Sequence, residues 1–145
     1  MPSVTASRVF TGSWTGPAKV SWEGDTITSV EPLADGREAP ERTLAHGFVD
    51  LQVNGLDDID VATARGADWE RLDHLLLAQG VTTWCPTLVT APLPSYASPL
   101  ARIGAAAARP TVGRPTIAGA HLEGPFLGAA PGLSLIHISE PTRPY

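Results

Sequence analysis

The sequence contains a single cysteine, Cys85, so the chain cannot form a disulfide within itself and nothing in its composition requires an oxidising compartment. It also lacks any run approaching the roughly 18 apolar residues that a membrane-spanning helix needs. The first residues show no basic stretch followed by an apolar segment, which is the pattern of a secretory signal. From these absences we expect a soluble cytoplasmic protein with no membrane partner.

Positive charge is also sparse. Lys and Arg together number 10 against 15 Asp and Glu, which gives a net charge of −5 and a pI near 5.2. The basic residues are scattered along the sequence, so we expect neither nucleic acid nor an acidic membrane surface as a partner. The hydrophobic fraction of 43% is typical of a globular protein with a packed core.

The beginning of the chain predicts a small β-unit. Apolar and polar side chains alternate over residues 18–23, and the pair Gly24-Asp25 then offers a turn into a second strand over residues 26–30. The residues that follow carry prolines, glycine and mixed charges, which indicates a surface connection. We place a domain boundary near His46.

Beyond this boundary, strand and helix patterns alternate. We expect strands over residues 47–54, 81–89 and 116–122, separated by helices over residues 67–79 and around residues 96–107. The order βαβαβ is typical of parallel strands covered by helices. A strand covered in this way has no solvated face.

Particular residues set the expected limits of these elements. Asp68 is the expected N-cap of the first helix, and Gly80 is its stop. Pro86 should limit how far the ladder of the second strand continues, because proline has no N–H to donate to a neighbour. The second helix is predicted from apolar residues at helical spacing, namely Tyr96, Leu100, Ile103 and Ala107.

Polar side chains occupy one face of the first strand of this unit. Asp50, Gln52 and Asn54 alternate with apolar residues, as strand side chains do. A half-exposed antiparallel strand would show the same alternation. The βαβ order favours instead a polar row that lines a functional interior.

The third strand presents Gly119, His121 and Glu123 on one face, with Glu123 at its carboxyl end. Chemistry in parallel α/β barrels lies at the carboxyl ends of strands, and an ionised carboxylate there is costly unless it is paired or bound to a metal. We therefore predict that Glu123 is a metal ligand; the alternatives are a carboxylate paired with an arginine or exposed on a loop. His121 is a weaker candidate, because a hydrogen-bonded interior histidine fits the same position.

Three motifs together resemble one family. GFVDLQVNG (residues 47–55), GVTTWCPTLVT (residues 80–90) and GAHLEGPFL (residues 119–127) look like the first three strand motifs of N-acetylglucosamine-6-phosphate deacetylases, in the same order and at fitting spacing. Three ordered motifs are far more specific than one. The resemblance covers about residues 6–132.

The resemblance implies the α/β fold of the amidohydrolases. We expect part of a small β-sandwich over residues 1–46 and the first three strands of an incomplete (β/α)8 TIM-type barrel over residues 47–132. The string LSLIHISEPTRPY, residues 133–145, continues neither pattern and resembles a translated sequencing adapter, so we exclude it from fold reasoning. Because a complete barrel needs roughly 250 residues, we expect the chain alone to be inactive.

The resemblance also implies a chemistry, the removal of the acetyl group from N-acetylglucosamine 6-phosphate. Glu123 would be one ligand of a single divalent metal ion, zinc first, with iron, cobalt or manganese as alternatives. Gln52 and Asn54 stand where many amidohydrolases carry a His-x-His pair, and neutral amides are poorer ligands than imidazoles for such ions. Two histidine ligands and a proton-transferring aspartate would lie on later strands, so no catalytic residue is assigned here. The family is often homodimeric.

Two positions depart from the family pattern. His46 stands where the family usually has proline before GFVD, which alters only the entry into the strand. A Gly-x-His substrate contact would begin at Gly132, but Leu133 and Ser134 follow instead.

The remaining candidates have simpler interpretations. We expect His74 to be a surface histidine and Cys85 to be a buried, inert thiol in an apolar strand. Asp57, Asp58 and Asp60 lack the order of residues of a calcium loop, so a solvated loop is expected there.

Two other functions stay open. One is a different amidohydrolase, such as a dihydroorotase-like or adenine-deaminase-like enzyme, against which Gln52 and Asn54 speak. The other is a non-catalytic α/β binding module, which would be a stable monomer without affinity for metal.

Overall fold

The computed structural model describes residues 1–34, 39–110 and 112–124. The chain divides into two compact units, Met1–His46 and Gly47–Tyr145. The predictions for Gly132 and for residues 133–145 lie outside the described residues. Neither helix in the described part has the length and apolar character to cross a membrane.

The first unit consists of two three-stranded sheets. Its strands are β1 (Ser3–Ala6), β2 (Arg8–Phe10), β3 (Trp14–Thr15), β4 (Ala18–Glu23), β5 (Thr26–Pro32) and β6 (Thr43–Leu44). One sheet has the order β1-β4-β5 and the other the order β3-β2-β6. Both contribute to one small apolar cluster, formed by Ala6, Val9, Ala18 and Val20.

The predicted hairpin of the first unit is confirmed. β4 and β5 pair antiparallel, with Glu23 opposite Thr26 at the turn. Gly24 in the turn has φ +61°, a left-handed conformation that glycine adopts without steric penalty.

The second unit is a mixed α/β structure with a parallel sheet. Its elements are β7 (Phe48–Val53), β8 (Gly55–Leu56), β9 (Ile59–Asp60), α1 (Asp68–Ala78), β10 (Val81–Leu88), α2 (Ala97–Ala107), β11 (Thr116–Ile117) and β12 (His121–Leu122). β10 lies at the centre and pairs parallel with β7 on one side and with β11 and β12 on the other. The predicted order of parallel strands joined by helices is confirmed. Its core includes Leu72, Leu76 and Trp84, all fully buried.

The ends of α1 only partly match the prediction. Gly80, with φ +78°, terminates the helix region as expected. The N-cap is Ala67, not Asp68, which is the first helical residue. The Asp68 carboxylate accepts a hydrogen bond from the backbone N–H of Arg65 at 3.0 Å, three residues back. Asp68 therefore closes the preceding turn instead of capping the helix.

The apolar face of α2 is shifted by one residue from the prediction. Ala106 is buried, whereas the predicted Ala107 is exposed. Tyr96 is buried as expected, but it lies in a 3-10 turn, Leu93–Tyr96, that precedes the helix. Because a 3-10 turn has 3.0 residues per turn and not 3.6, counting from Tyr96 with the α-helical period leads to the wrong last residue.

The ladder of β10 with β7 ends at the pair of Pro86 with Val53, while β10 itself continues to Leu88, close to the predicted limit of residue 89. The third strand differs from the prediction. The predicted third strand over residues 116–122 is two short strands. β11 pairs Thr116 with Thr83, whereas β12 pairs His121 with Thr87, so the third strand contains one extra residue, the signature of a bulge.

The expectation that the first parallel strand has no solvated face is also wrong. Val49 and Leu51, on the apolar side of β7, are 60% and 64% exposed, and Phe48 is 67% exposed. Only Val53 of that strand is buried. Within the described residues β7 pairs with β10 alone in this sheet, so it is an edge strand.

Candidate active site

The carboxyl ends of β7 and β12 bring three predicted site residues together. Gln52 lies near the end of β7, Asn54 directly follows it, and Glu123 directly follows β12. Pairing with β10 fixes the register of both strands. Pro86 pairs with Val53 of β7, and the backbone N–H of Glu123 donates to the carbonyl of Leu88 at 3.1 Å. Residues 69 or more positions apart in the sequence thus meet at one edge of the sheet.

Glu123 is held by the two amides. The Gln52 Nε2 donates to Glu123 Oε1 at 2.7 Å, and the Asn54 Nδ2 donates to the same oxygen at 3.3 Å. An ionised carboxylate only accepts hydrogen bonds, so both amides present their NH2 groups to it. The polar row predicted on β7 therefore lines a site that contains Glu123.

The second carboxylate oxygen of Glu123 has different surroundings. Glu123 Oε2 is inaccessible to solvent and has no hydrogen-bond partner among the described residues. No arginine pairs with Glu123 in the described part of the chain, and the residue is half-buried, not on an exposed loop. A buried carboxylate oxygen is stable only with a donor or a cation beside it, so Oε2 is the atom that a ligand from outside these residues would contact.

His121 makes its hydrogen bond to a threonine and not to Glu123. Its Nδ1 lies 3.4 Å from Thr87 Oγ1, and the Thr87 hydroxyl donates its one proton to the carbonyl of Cys85 at 3.0 Å. This contact fits the interpretation of a hydrogen-bonded, half-buried histidine.

Thr87 and Thr90 are site residues that the sequence interpretation did not single out. Thr87 is buried and orients His121. The Thr90 hydroxyl is buried without a hydrogen-bond partner in the described residues, and a Cβ at Gly124 would overlap it. Both threonines lie in the motif GVTTWCPTLVT, near the carboxyl end of β10. That position in the sequence could have identified them as site residues.

Asp57 and Asp58 lie in a solvated turn between β8 and β9, as expected, whereas Asp60 is exposed but belongs to β9. The Arg71 Nη2 lies 3.3 Å from Asp57 Oδ2 and 2.5 Å from Asp58 Oδ1. The hydrogen bond and the charge of Arg71 lower the pKa of Asp58. Asp60 accepts from the backbone N–H of Ala62 at 2.8 Å. Within the described residues no cluster of His, Cys, Asp and Glu is large enough to hold a metal ion on its own.

The two remaining candidates have structural roles. His74 is exposed, and its Nδ1 contacts the carbonyl of Glu70 at 2.8 Å, as expected for a surface histidine. Cys85 is half-buried, so the expectation of a buried thiol is wrong.

A further ionisable residue lies outside this site, in α1. Asp73 is buried and pairs with Arg109 at 2.9 Å between Oδ2 and Nη2. Burial raises the pKa of Asp73 above its ordinary value, and Arg109 only partly offsets that effect. The pair links α1 to the end of α2, so it is a structural contact.

No family profile matches the chain. Seven curated relatives do match. The chain is 38% identical to the N-acetylglucosamine-6-phosphate deacetylase of Rattus norvegicus over 94 residues, which are 63% of this chain and 22% of the relative. It is 39% identical to the Caenorhabditis elegans enzyme of the same name over 118 residues, 76% of this chain and 26% of the relative. It is 28% identical to the N-acetylgalactosamine-6-phosphate deacetylase of Escherichia coli O157:H7 over 123 residues, 83% of this chain and 32% of the relative.

Solved structures give the same result. N-acetyl-D-glucosamine-6-phosphate deacetylase from Mycobacterium smegmatis matches with a TM-score of 0.71 and 26% identity, over 88% of this chain and 34% of that chain. A mutant of that enzyme, solved in complex with N-acetyl-D-glucosamine-6-phosphate, matches with a TM-score of 0.70 and 26% identity, over 87% of this chain and 33% of that chain. The resemblance drawn from the three motifs is confirmed. The chain spans about a fifth to a third of the length of these relatives.

Proposed function

We propose that this chain supplies the opening strands and one metal-binding carboxylate of an enzyme that removes the acetyl group from N-acetylglucosamine 6-phosphate. The observation that carries the proposal is the convergence of Gln52 and Asn54 on one oxygen of Glu123, with the other oxygen buried and without a partner in the described residues. The similarity to deacetylases of 36% to 39% identity supports it independently.

The fold that we propose for the complete enzyme is a (β/α)8 barrel. The parallel order of β7, β10 and the β11–β12 pair, with α1 and α2 as crossover helices, is that of its first three strands. The polar residues lie at the carboxyl ends of these strands, where barrels carry their active sites. The two sheets of the first unit would then belong to a small β-sandwich.

The donor set fits a single divalent metal ion. Glu123 Oε2 is a carboxylate oxygen with no protein donor among the described residues, which is the atom expected to hold such an ion. Gln52 and Asn54 use their amide NH2 groups on Oε1, so they orient the carboxylate. Their amide oxygens stay available, but as poorer ligands than imidazole. When bound, the ion supplies a Lewis acid that activates water and polarises the acetyl carbonyl. Zinc fits best, with iron, cobalt and manganese as alternatives.

The residues of this chain position the carboxylate. The two amides hold Glu123 in one rotamer, so that only Oε2 is presented. His121, which contacts Thr87, lies two residues before Glu123 in the sequence. Catalytic metal sites usually have three protein ligands, so two ligands and the residue that transfers the proton must come from outside the described residues.

The proposed substrate is a phosphorylated N-acetyl amino sugar. The mutant enzyme of Mycobacterium smegmatis was solved with N-acetyl-D-glucosamine-6-phosphate. A second candidate substrate is N-acetylgalactosamine 6-phosphate, which is favoured by the similarity to the enzyme from Escherichia coli O157:H7. Assays of the two sugars side by side distinguish these candidates. We further propose a cytoplasmic enzyme that assembles as a homodimer.

A chimera tests the proposed function. Residues 1–124 of this chain would replace the structurally equivalent part of the Mycobacterium smegmatis deacetylase, and acetate release and bound metal would be measured together. We expect an active, metal-containing chimera that loses both properties in Glu123→Gln, because the neutral amide is a poor ligand. The control is Asp57→Asn, a solvated aspartate that should change neither. A folded Glu123→Gln chimera with full activity and metal content would refute the proposal.

A further inference from the structure

A cavity lies in the helical layer of the second unit, between α1 and α2. Its volume is about 320 Å³, and its charged lining consists of Arg65, Arg102 and Arg109. Trp69 from α1 and Ala106 from α2 supply apolar lining. Gln52, Asn54 and Glu123 do not line it, so it is distinct from the candidate active site. We call it the arginine cavity.

The arginine cavity concentrates positive charge in an acidic protein. Three of the 10 basic residues of a chain with net charge −5 line this one space. Arg65 and Arg102 form no ion pair with any carboxylate of the described residues, and only Arg109 is paired, with Asp73. The lining therefore carries an excess of positive charge, which an anion would neutralise.

Hydrogen bonds to neutral groups hold the arginines in place. Arg102 donates from Nη1 to Ser98 Oγ at 2.6 Å and from Nη2 to the carbonyl of Ala62 at 2.5 Å. Arg65 donates from Nε to the carbonyl of Thr63 at 3.3 Å. Carbonyl and hydroxyl oxygens fix a guanidinium without cancelling its charge. Such arginines are held in place for a ligand, and no carboxylate neutralises their charge.

Unused donors remain on each of the three side chains. A guanidinium has five N–H groups, and Arg109 uses only Nε, to the carbonyl of Ala106, and Nη2, to Asp73. The Nη1 of Arg109 and both Nη atoms of Arg65 have no partner among the described residues. The Nε of Arg102 is buried and likewise without a partner there. The lining residues thus carry several N–H donors without a partner among the described residues and no free carboxylate acceptor.

We propose that the arginine cavity binds a phosphate group, either as the free ion or as a small phosphate monoester. Guanidinium groups match the tetrahedral oxygens of phosphate through paired N–H donors, which is why arginine predominates at such sites. The volume of about 320 Å³ lies at the lower end of the range of roughly 300 to 1,000 Å³ for small-molecule pockets. It leaves room for a few atoms beyond the phosphoryl group.

Calorimetric titration of the 145-residue chain at low ionic strength tests the proposal. The probes are inorganic phosphate and glycerol 3-phosphate, which separate the free ion from a monoester. We expect saturable binding, and a loss of roughly tenfold or more in affinity in Arg65→Gln, because hydrogen bonds to a charged group contribute about 1.5 to 3 kcal/mol. Arg65 is the appropriate choice because its side chain makes one hydrogen bond among the described residues, to the nearby carbonyl of Thr63, so its replacement should disturb the fold little.

The matched control is Arg71→Gln. Arg71 lies on α1, is paired with Asp57 and Asp58, and does not line the cavity. The Arg71→Gln variant should bind phosphate with the affinity of the unaltered chain. Circular dichroism should show that the Arg65→Gln and Arg71→Gln variants are folded alike. Tighter binding of glycerol 3-phosphate than of phosphate identifies a monoester site, and equal binding identifies recognition of the phosphoryl group alone. Absence of saturable binding, or equal binding by Arg65→Gln, would overturn the proposal.

Discussion

At the scale of single residues, the position of the Glu123 carboxylate depends on only two side-chain donors among the described residues. Gln52 and Asn54 both donate to Oε1 of Glu123, so losing either leaves the other to hold the side chain. The shorter bond, 2.7 Å from Gln52, should be the stronger of the two. Elsewhere Asp73 shows the opposite situation, a carboxylate whose burial outweighs its one partner.

We expect Gln52→Leu to destabilise the second unit by about 1 kcal/mol, because Glu123 Oε1 then loses its best donor. This loss of stability is smaller than is usual for a hydrogen bond to a charged acceptor, because Gln52 is exposed to solvent. Urea unfolding followed by circular dichroism measures the change. Gln79→Leu is the control, because the Gln79 side chain makes no hydrogen bond among the described residues; an equal effect in both variants would contradict the assigned role.

Stability against pH should reveal the raised pKa of Asp73. The folded chain holds the Asp73 proton more tightly than the unfolded chain does, so stability relative to Asp73→Asn should rise as pH falls through the folded pKa toward the ordinary pKa of 3.8. Asp58 gives the opposite sign. Its pKa is lowered, so the advantage over Asp58→Asn is present above 3.8 and is lost on acidification. Melting temperatures from pH 7 downward measure both trends, and parallel trends would contradict the assignment.

At the scale of elements, close backbone approaches decide which positions must be glycine. In the hairpin of β8 and β9, a Cβ at Gly55 would overlap the carbonyl oxygen of Ile59. In α2, Gly104 has open space around it and ordinary helical geometry. The same residue type is therefore required at one position and unfavourable at the other.

The substitutions Gly55→Ala and Gly104→Ala should have opposite effects. The first should destabilise the chain by roughly 1 to 3 kcal/mol, because the backbone at β8 must shift to admit a methyl group. The second should stabilise it by up to about 1 kcal/mol, the difference in helix propensity between alanine and glycine. Thermal unfolding of both variants tests the pair. Destabilisation of equal size at both positions would mean that the close approach at Gly55 has no special effect.

At the scale of the whole molecule, the main feature is an unfinished sheet. β7 is an edge strand in the described structure, and Phe48, Val49 and Leu51 on it are largely exposed. Exposed apolar edge strands pair readily with other chains. The matched part of this chain covers only 22% and 32% of two of its relatives, which fits an edge that further strands cover.

We therefore expect the 145-residue chain to self-associate through β7. Leu51→Lys should reduce this association, because a charge on an edge strand opposes pairing with another edge. The control is Leu93→Lys, since Leu93 is 59% exposed but lies in a 3-10 turn away from any strand edge. Light scattering across a concentration series measures the effect. Association that is unchanged in Leu51→Lys would exclude β7 as the contact.

Sequence by itself determined the elements whose signals are local. Alternation gave the hairpin of β4 and β5, the βαβαβ order gave the parallel sheet, and the motifs predicted that Gln52, Asn54 and Glu123 belong to one site. These features follow from periodicity and turn chemistry, which neighbouring residues specify. Nothing in the sequence pattern forecast the bulge between β11 and β12 or the partner of His121.

Only the tertiary structure decided the features that depend on distant partners. Asp68 is not the N-cap, because its carboxylate accepts a hydrogen bond from the N–H of Arg65. β7 has a solvated face, because no further strand or helix of the described residues covers it. The arginine cavity is a further case, since its members are dispersed over residues 65–109. A pattern along the chain specifies which way a side chain leaves its own element. Which group it then meets depends on packing between elements.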